Sequence, residues 1–155
     1  MVKFFRRDLE ILSNNPSQTK KIGKILAKEL QKTISKKTLI LGLIGDLGGG
    51  KTTFLQGFTK SLGIKEKILS PTFIILRKFK VKSSKFKVFY HIDCYRIEKP
   101  KEILNLGFKE IISNPQNIVA IEWADRIKKI LPKGSIILKF EFLDKNKRKI
   151  TFQQK

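Results

Sequence analysis

The sequence has little with which to build a cross-link or a metal cage. Cys94 is the one cysteine and His91 the one histidine in 155 residues, so an internal disulfide is excluded and a structural zinc site lacks its ligands. The expected role of Cys94 is packing within a strand. Acidic residues are scarce: 13 face 34 lysines and arginines, for a net charge of +21. Such a surplus draws polyanions such as RNA. The lysines are nevertheless spread along the whole chain, without an arginine-rich arm, a basic stripe at helical spacing or the interleaved aromatics of single-strand binders. The charge equally suits a host proteome biased towards lysine, isoleucine, asparagine and phenylalanine. No apolar run is long enough to span a bilayer, and the first eight residues lack the apolar core of a secretion signal, so the expected location is cytoplasmic. Repeats and linkers are missing too, and the expectation is a single domain over residues 1–155 with a real core.

What is present in force is glycine in one place. Five of the ten glycines lie between Gly42 and Gly50, and Gly45-Asp46-Leu47-Gly48-Gly49-Gly50-Lys51-Thr52 fits the phosphate-loop pattern G-x-x-x-x-G-K-[ST] at every fixed position. The run Thr38 to Ile44 is continuously apolar and β-branched, as in a buried parallel strand feeding the loop. After Lys51 the period changes: Phe54, Leu55, Phe58 and Leu62 recur at three- and four-residue steps, predicting a helix that ends near Gly63. Without Cβ atoms the loop glycines let successive N–H groups curl into an anion nest, and the positive end of the helix points at the same place. Lys51 would reach the β- and γ-phosphates of a nucleoside triphosphate, the Thr52 hydroxyl would ligate Mg²⁺, and Thr53 would add a contact to the α/β-phosphates.

The remaining elements follow in order. Val2 to Leu12 predicts an edge strand. A helix then starts at Asn14-Asn15-Pro16-Ser17, capped either by Asn15 with Pro16 in the first helical position or by Ser17, and runs to about Thr33 with Ile22, Ile25, Leu26 and Leu30 as its apolar stripe. Ser17 to Thr19, at its start, is a resting place for a nucleotide base if the helix packs beside the loop. Ser70-Pro71-Thr72 precedes a strand from Ile74 to Val81. Thr72 is either a turn residue or a switch threonine touching Mg²⁺ or the γ-phosphate. Ser83-Ser84 predicts a hairpin turn into Lys85 to Asp93, whose alternation gives a strand with one buried face, Phe86, Val88, Tyr90 and Ile92 on one side and Phe89, His91 and Asp93 on the other. His91 and Asp93 thus project together at the strand end, where Asp93 either holds Mg²⁺ or its water, or caps the next turn. A short amphipathic segment from Pro100 ends at Asn114-Pro115. Ile118 to Ile121 is a second buried strand, and it terminates in Glu122-Trp123. A carboxylate there resembles a Walker B element, with Glu in place of the commoner Asp, a longer reach that suits metal-bound water or a base for the attacking water. Asp125 to Leu131 predicts a helix stopped by Pro132. Ser135 to Phe142 and Lys149 to Phe152 predict an antiparallel pair around Asp144-Lys145-Asn146-Lys147.

Taken together, Gly45 to Thr53, Ser70-Pro71-Thr72, His91-Ile92-Asp93-Cys94-Tyr95-Arg96, Leu106-Gly107-Phe108-Lys109-Glu110 and Glu122-Trp123 resemble, in that order, the TsaE (YjeE) family, the ATPase component of the bacterial tRNA threonylcarbamoyladenosine pathway. The His-x-Asp-x-Tyr-Arg and Glu-Trp pairs are the restrictive part. The resemblance implies an α/β fold of the P-loop NTPase kind, a mixed and mainly parallel sheet flanked by helices, with antiparallel edge strands. It implies ATP and Mg²⁺ as cofactors, TsaB- and TsaD-like proteins as partners, and tRNA reached through that complex. By position it implies that Asp93 and Glu122 lie around the metal and the attacking water, that Thr72 sits on a switch-like segment, that His91, Tyr95, Arg96 and Trp123 are shell or gating residues, and that the region around Arg148 approaches the nucleotide. Gly49 stands where the family commonly has Ala, a change the nest tolerates.

Three other classes share the phosphate loop or the charge. A small-molecule kinase needs an acceptor pocket and an arginine-bearing lid, and no such lid occurs between Glu110 and Leu131. A GTPase needs an Asn-Lys-x-Asp element, which Asn146-Lys147-Arg148-Lys149 fails at its last position. An RNA-binding module with structural nucleotide would keep its RNA affinity when Lys51 is removed.

Overall fold

The computed structural model describes residues 8–70 and 74–155. Of the edge strand expected over Val2 to Leu12, residues 2–7 lie outside the described residues, as do the switch candidate Thr72 and its neighbours Pro71 and Phe73, while Leu9–Ser13 forms the edge strand β1. The elements are β1 (Leu9–Ser13), α1 (Pro16–Lys32), β2 (Leu39–Ile44), α2 (Lys51–Ser61), β3 (Leu76–Lys80), β4 (Val88–Asp93), α3 (Pro100–Leu104), α4 (Phe108–Ser113), β5 (Asn117–Glu122), a 3-10 segment (Ala124–Ile130), β6 (Ile136–Phe142) and β7 (Arg148–Gln154).

Among the described residues seven strands join one sheet in the order β1-β7-β6-β2-β5-β4-β3. The four central strands β6, β2, β5 and β4 run parallel. The outer pairings β1–β7, β7–β6 and β4–β3 are antiparallel. The sheet is therefore mixed, and parallel only in its centre, where crossovers cover both faces. One face carries α1 and α2 over Leu41, Leu43, Phe89 and Leu138, with Phe54 and Phe58 of α2 fully buried. The other carries α3, α4 and the 3-10 segment over Ile40, Ile92, Val119 and Ile121. Each fully buried phenylalanine or isoleucine here contributes about 1.5–3 kcal/mol relative to exposure.

Asn15 is the cap of α1: its side chain accepts from the Gln18 N–H at 2.9 Å and Pro16 opens the helix. The buried face differs from the expected stripe. Leu30 is buried and Ile22 and Leu26 pack half-buried against the core as expected, but Ile25 is 51% exposed and Thr19, Gly23 and Ala27 complete the buried face. The reason is the closeness of α2. A Cβ on Gly57 would stand 1.9 Å from the Lys20 carbonyl oxygen, and one on Gly23 would stand 2.2 Å from that of Phe54. Two backbones this near need small residues between them, so size rather than hydropathy sets the face.

β4 also departs from the expected alternation. The strand begins at Val88, not Lys85, because the chain is still turning there, with the Val81 N–H bonded to the Lys87 carbonyl at 2.9 Å. Phe86 consequently packs in the same cluster as Phe89, although the alternation puts them on opposite faces. Both faces of β4 are covered, since Ile92 packs in the other cluster. Cys94 lies just beyond the strand and is fully buried. The predicted helix after Glu122 is a 3-10 segment with a non-helical break at Ile127.

Candidate functional site

β2 delivers the chain to the phosphate loop, and α2 leaves it. Gly50 caps α2 with φ +95, a conformation that strains any residue with a side chain, and its carbonyl accepts the Phe54 N–H at 2.9 Å to begin the helix. The loop closes on itself through the Gly49 N–H and the Asp46 carbonyl at 3.0 Å. Gly48, Gly49, Gly50, Lys51, Thr52 and Thr53 line a cavity of about 230 Å³. Leu47 joins them, while Gly45 and Asp46 do not line the cavity.

The Lys51 ammonium donates to the carbonyls of Gly45 and Asp46 and rests 4.4 Å from the centre of the Trp123 ring. Burial pushes its pKa down; the carboxylates of Glu122, Asp93, Asp46 and Asp125 pull it back up. A cation held under this tension, with carbonyls for partners, is ready to exchange them for phosphate oxygens.

Across the cavity β5 ends in Glu122, buried beneath the loop. One of its oxygens accepts from the Thr52 hydroxyl at 3.0 Å, and the other is 2.6 Å from the His91 Nε2. Asp93 is the register partner of Glu122 on β4, so the two carboxylates stand side by side at the carboxyl ends of parallel strands. Asp93 caps the following turn by accepting the Tyr95 N–H at 2.9 Å, and its second oxygen accepts from Ser70 at 3.2 Å. Burial pushes the Asp93 pKa up, the Tyr95 N–H opposes this, and Glu122 adds to it. The capping role and the position beside Glu122 are thus compatible. Among the described residues no group of three or more His, Cys, Asp or Glu is placed to hold a metal by itself. Thr52 and Glu122 line the cavity and Asp93, beside Glu122 on the next strand, does not; these donors are all oxygens, which fits a Mg²⁺ that keeps waters and shares a nucleotide's phosphates.

The model of the family described as "Threonylcarbamoyl adenosine biosynthesis protein TsaE" matches residues 13–150. The chain belongs to the TsaE family. A tRNA threonylcarbamoyladenosine biosynthesis protein TsaE from Rickettsia felis is 41% identical over 89% of this chain and 75% of its own length. One from Bacillus subtilis is 36% identical over 89% of this chain and 80% of its own. The crystal structure of Bacillus subtilis YdiB superposes with a TM-score of 0.72 at 31% identity, covering 96% of this chain and 86% of that one. The fold is accordingly the TsaE P-loop fold, and the family's process is tRNA threonylcarbamoyladenosine biosynthesis.

Within this TsaE fold the remaining expected residues divide. Thr19 lines the cavity from α1, beside Pro16, and its hydroxyl shares a buried 2.7 Å hydrogen bond with that of Ser13. Arg148 arrives from β7: its Nε donates to the Gly48 carbonyl at 3.1 Å, Nη1 donates to the carbonyls of Asp144 and Lys147, and the guanidinium lies 4.5 Å from the Phe142 ring. Trp123 is the one non-glycine with positive φ among the described residues, +57, a strain of roughly 1–2 kcal/mol that holds its ring over Lys51. Tyr95 packs against it at 5.0 Å but does not line the cavity, and Arg96 is exposed outside it.

Sequence reasoning missed Ser70 as a partner of Asp93, Arg126 over the Tyr95 and Trp123 rings at 5.8 and 5.9 Å, and Lys145 and Asn146 as cavity lining. The signal for the last two was the polar turn at Asp144 to Lys147, which is legible as a turn but not as one that folds back on the loop.

Proposed function

We propose that this chain is the Mg²⁺-dependent, ATP-binding and ATP-hydrolysing component of the bacterial tRNA N6-threonylcarbamoyladenosine machinery. It acts as one cytoplasmic domain with TsaB- and TsaD-like proteins, and tRNA is reached through the complex. The observation that carries the reading is the Thr52 hydroxyl held 3.0 Å from the Glu122 carboxylate beside the Lys51 ammonium.

In this mechanism the N–H groups of Gly48 to Thr53 cradle the phosphates, and Lys51 leaves its carbonyl partners for the β- and γ-phosphates. Thr52 and, directly or through water, Glu122 and Asp93 would hold a Mg²⁺ ion, which when bound would supply positive charge against the phosphates. Glu122 orients the attacking water and accepts its proton, and His91, 2.6 Å away, fixes the carboxylate. Thr72 is assigned the role of a switch threonine that would touch the metal or γ-phosphate. Thr19 and Arg148 flank the nucleotide, and Trp123, Tyr95 and Arg96 guard the mouth. The Arg148 guanidinium is already committed to loop carbonyls, which supports slow turnover by the isolated chain; a missing arginine finger costs about 10³-fold or more.

The test is steady-state ATP hydrolysis by the chain alone and then with TsaB, TsaD and tRNA, using Glu122→Ala as control. Strong stimulation by the partners is expected. In the variant, hydrolysis is expected to fall about 100-fold or more while ATP affinity is kept. Fast turnover by the chain alone, or transfer of phosphate to a small acceptor, would overturn the proposal.

A further inference from the structure

A second, larger cavity of about 730 Å³ lies at the other end of the sheet, where the parallel strands begin. Leu39 and Ile40 of β2 and Ile136 of β6 form part of its wall. At about 3.3 Å per residue, β2 puts it roughly 17 Å from the phosphate loop. That is more than a Debye length at physiological salt, so occupancy at one end leaves the other electrostatically free through solvent.

Its lining is one-sided in charge. Lys36, Lys37, Lys85 and Lys133 contribute ammonium groups, and no Asp or Glu among the described residues lines it. Lys36, Lys37 and Lys133 are exposed, and none of them is ion-paired among the described residues. Lys85 is turned inward, donating to the carbonyls of Leu30 and Thr33 at the end of α1, and burial pushes its pKa down. Three exposed cations without a counter-charge, Lys36, Lys37 and Lys133, raise the local potential and favour an anion. The cavity is not purely ionic, however. Ile34, 91% exposed, stands on the loop between α1 and β2 beside those lysines. A bare phosphate has no use for an exposed isoleucine, whereas the face of an unstacked base can lie against its apolar surface.

We propose that this basal cavity is a binding site for single-stranded RNA, its lysines taking the phosphodiester backbone and Ile34 with the apolar wall taking an unstacked base. The choice of RNA among polyanions rests on the family's process of tRNA modification, but the site is independent of the nucleotide chemistry at the phosphate loop. RNA held here leaves the nucleotide cavity open.

The probe is a fluorescein-labelled RNA hairpin with a single-stranded loop, titrated across a potassium chloride series and read by anisotropy, with a blunt RNA duplex as comparison. The triple variant Lys36→Ala, Lys37→Ala, Lys133→Ala is set against Lys21→Ala, Lys24→Ala, Lys28→Ala on the exposed side of α1, which removes the same charge. The cavity variant is expected to weaken hairpin binding about 100-fold at physiological salt and to lower the slope of log K against log salt by about 2 to 3. The α1 variant is expected to change both little. A fluorescent ATP analogue reports the phosphate loop: it should bind the cavity variant normally, while Lys51→Met should lose the analogue and keep the hairpin. Failure of the nucleotide reading and failure of the RNA site are thereby separated. In the unaltered protein, photocrosslinks from 4-thiouridine in the hairpin loop should map to residues 33–38 or 133–136. Equal losses in the two triple variants, equal affinity for the duplex, or crosslinks mapping elsewhere would overturn the proposal.

Discussion

At the scale of single residues, Lys51 carries the sharpest consequence. Its burial disfavours the ammonium in the free protein, so the charge that binds phosphate works against the unliganded fold. Lys51→Met, which keeps the volume, should leave the melting temperature of the free chain unchanged or raised. It should also weaken ATP binding by roughly 30- to 150-fold, the equivalent of a charged hydrogen bond worth about 2–3 kcal/mol. Calorimetry with and without ATP measures both, and a clearly lowered melting temperature would contradict this account. Cys94 provides a second case. Burial pushes its thiol up to about 12, so alkylation by iodoacetamide near neutral pH should require unfolding, and the rate should follow denaturant through the unfolding transition. The phosphate loop and the strand-end Glu122 were legible because fixed residue types at fixed spacing carry their chemistry. Ser70 and Arg126 were not, because a serine accepting an ordinary turn role and an arginine over two rings look like any others until the chain folds.

At the scale of elements, the pattern was read well where one period dominated. β2, α2, β5 and the β6–β7 pair follow it. α1 and β4 did not, for two different reasons. In α1 the face was chosen by the approach of another backbone, which hydropathy does not encode. In β4 a turn consumed the first residues of an apparently regular alternation and reset the register for Phe86. The α1–α2 contact gives a direct test. Gly57→Ala would drive a methyl group into the Lys20 carbonyl and should cost about 3 kcal/mol or more, at the upper end of overpacking in a tight core. Urea denaturation would measure it, and a loss well under 1 kcal/mol would mean that the helices stand further apart. Because α1 carries Thr19 to the cavity wall, the same variant should weaken ATP binding without touching the loop.

For the molecule as a whole, the topology puts every candidate nucleotide group at one end of the central strands. Thr52 follows β2, Asp93 closes β4 and Glu122 closes β5. The site therefore spans three strands and the first turn of a helix, and a ligand that fills it ties these elements together. With Mg²⁺ and ATP at 100 times the dissociation constant, the free energy of unfolding should rise by about 2.7 kcal/mol, and a bound nucleotide that failed to raise it would have to bind the unfolded chain as well. The central parallel order was legible as a P-loop arrangement. The equal share of antiparallel pairings was less so, because the strand β7 that links the two ends of the chain is recognisable only as a partner of β6.

That link has a consequence for how the chain comes into being. β1 pairs with β7, Leu9 opposite Phe152 and Ser13 opposite Arg148, so during synthesis β1 waits for a partner strand made only after all the strands between them. At ordinary rates of synthesis the delay is on the order of 10 s. Throughout it, β1 has no neighbour in the sheet, with Leu9 and Leu12 facing outward. The P-loop core between them can close first, and the seam made by the two ends seals it afterwards.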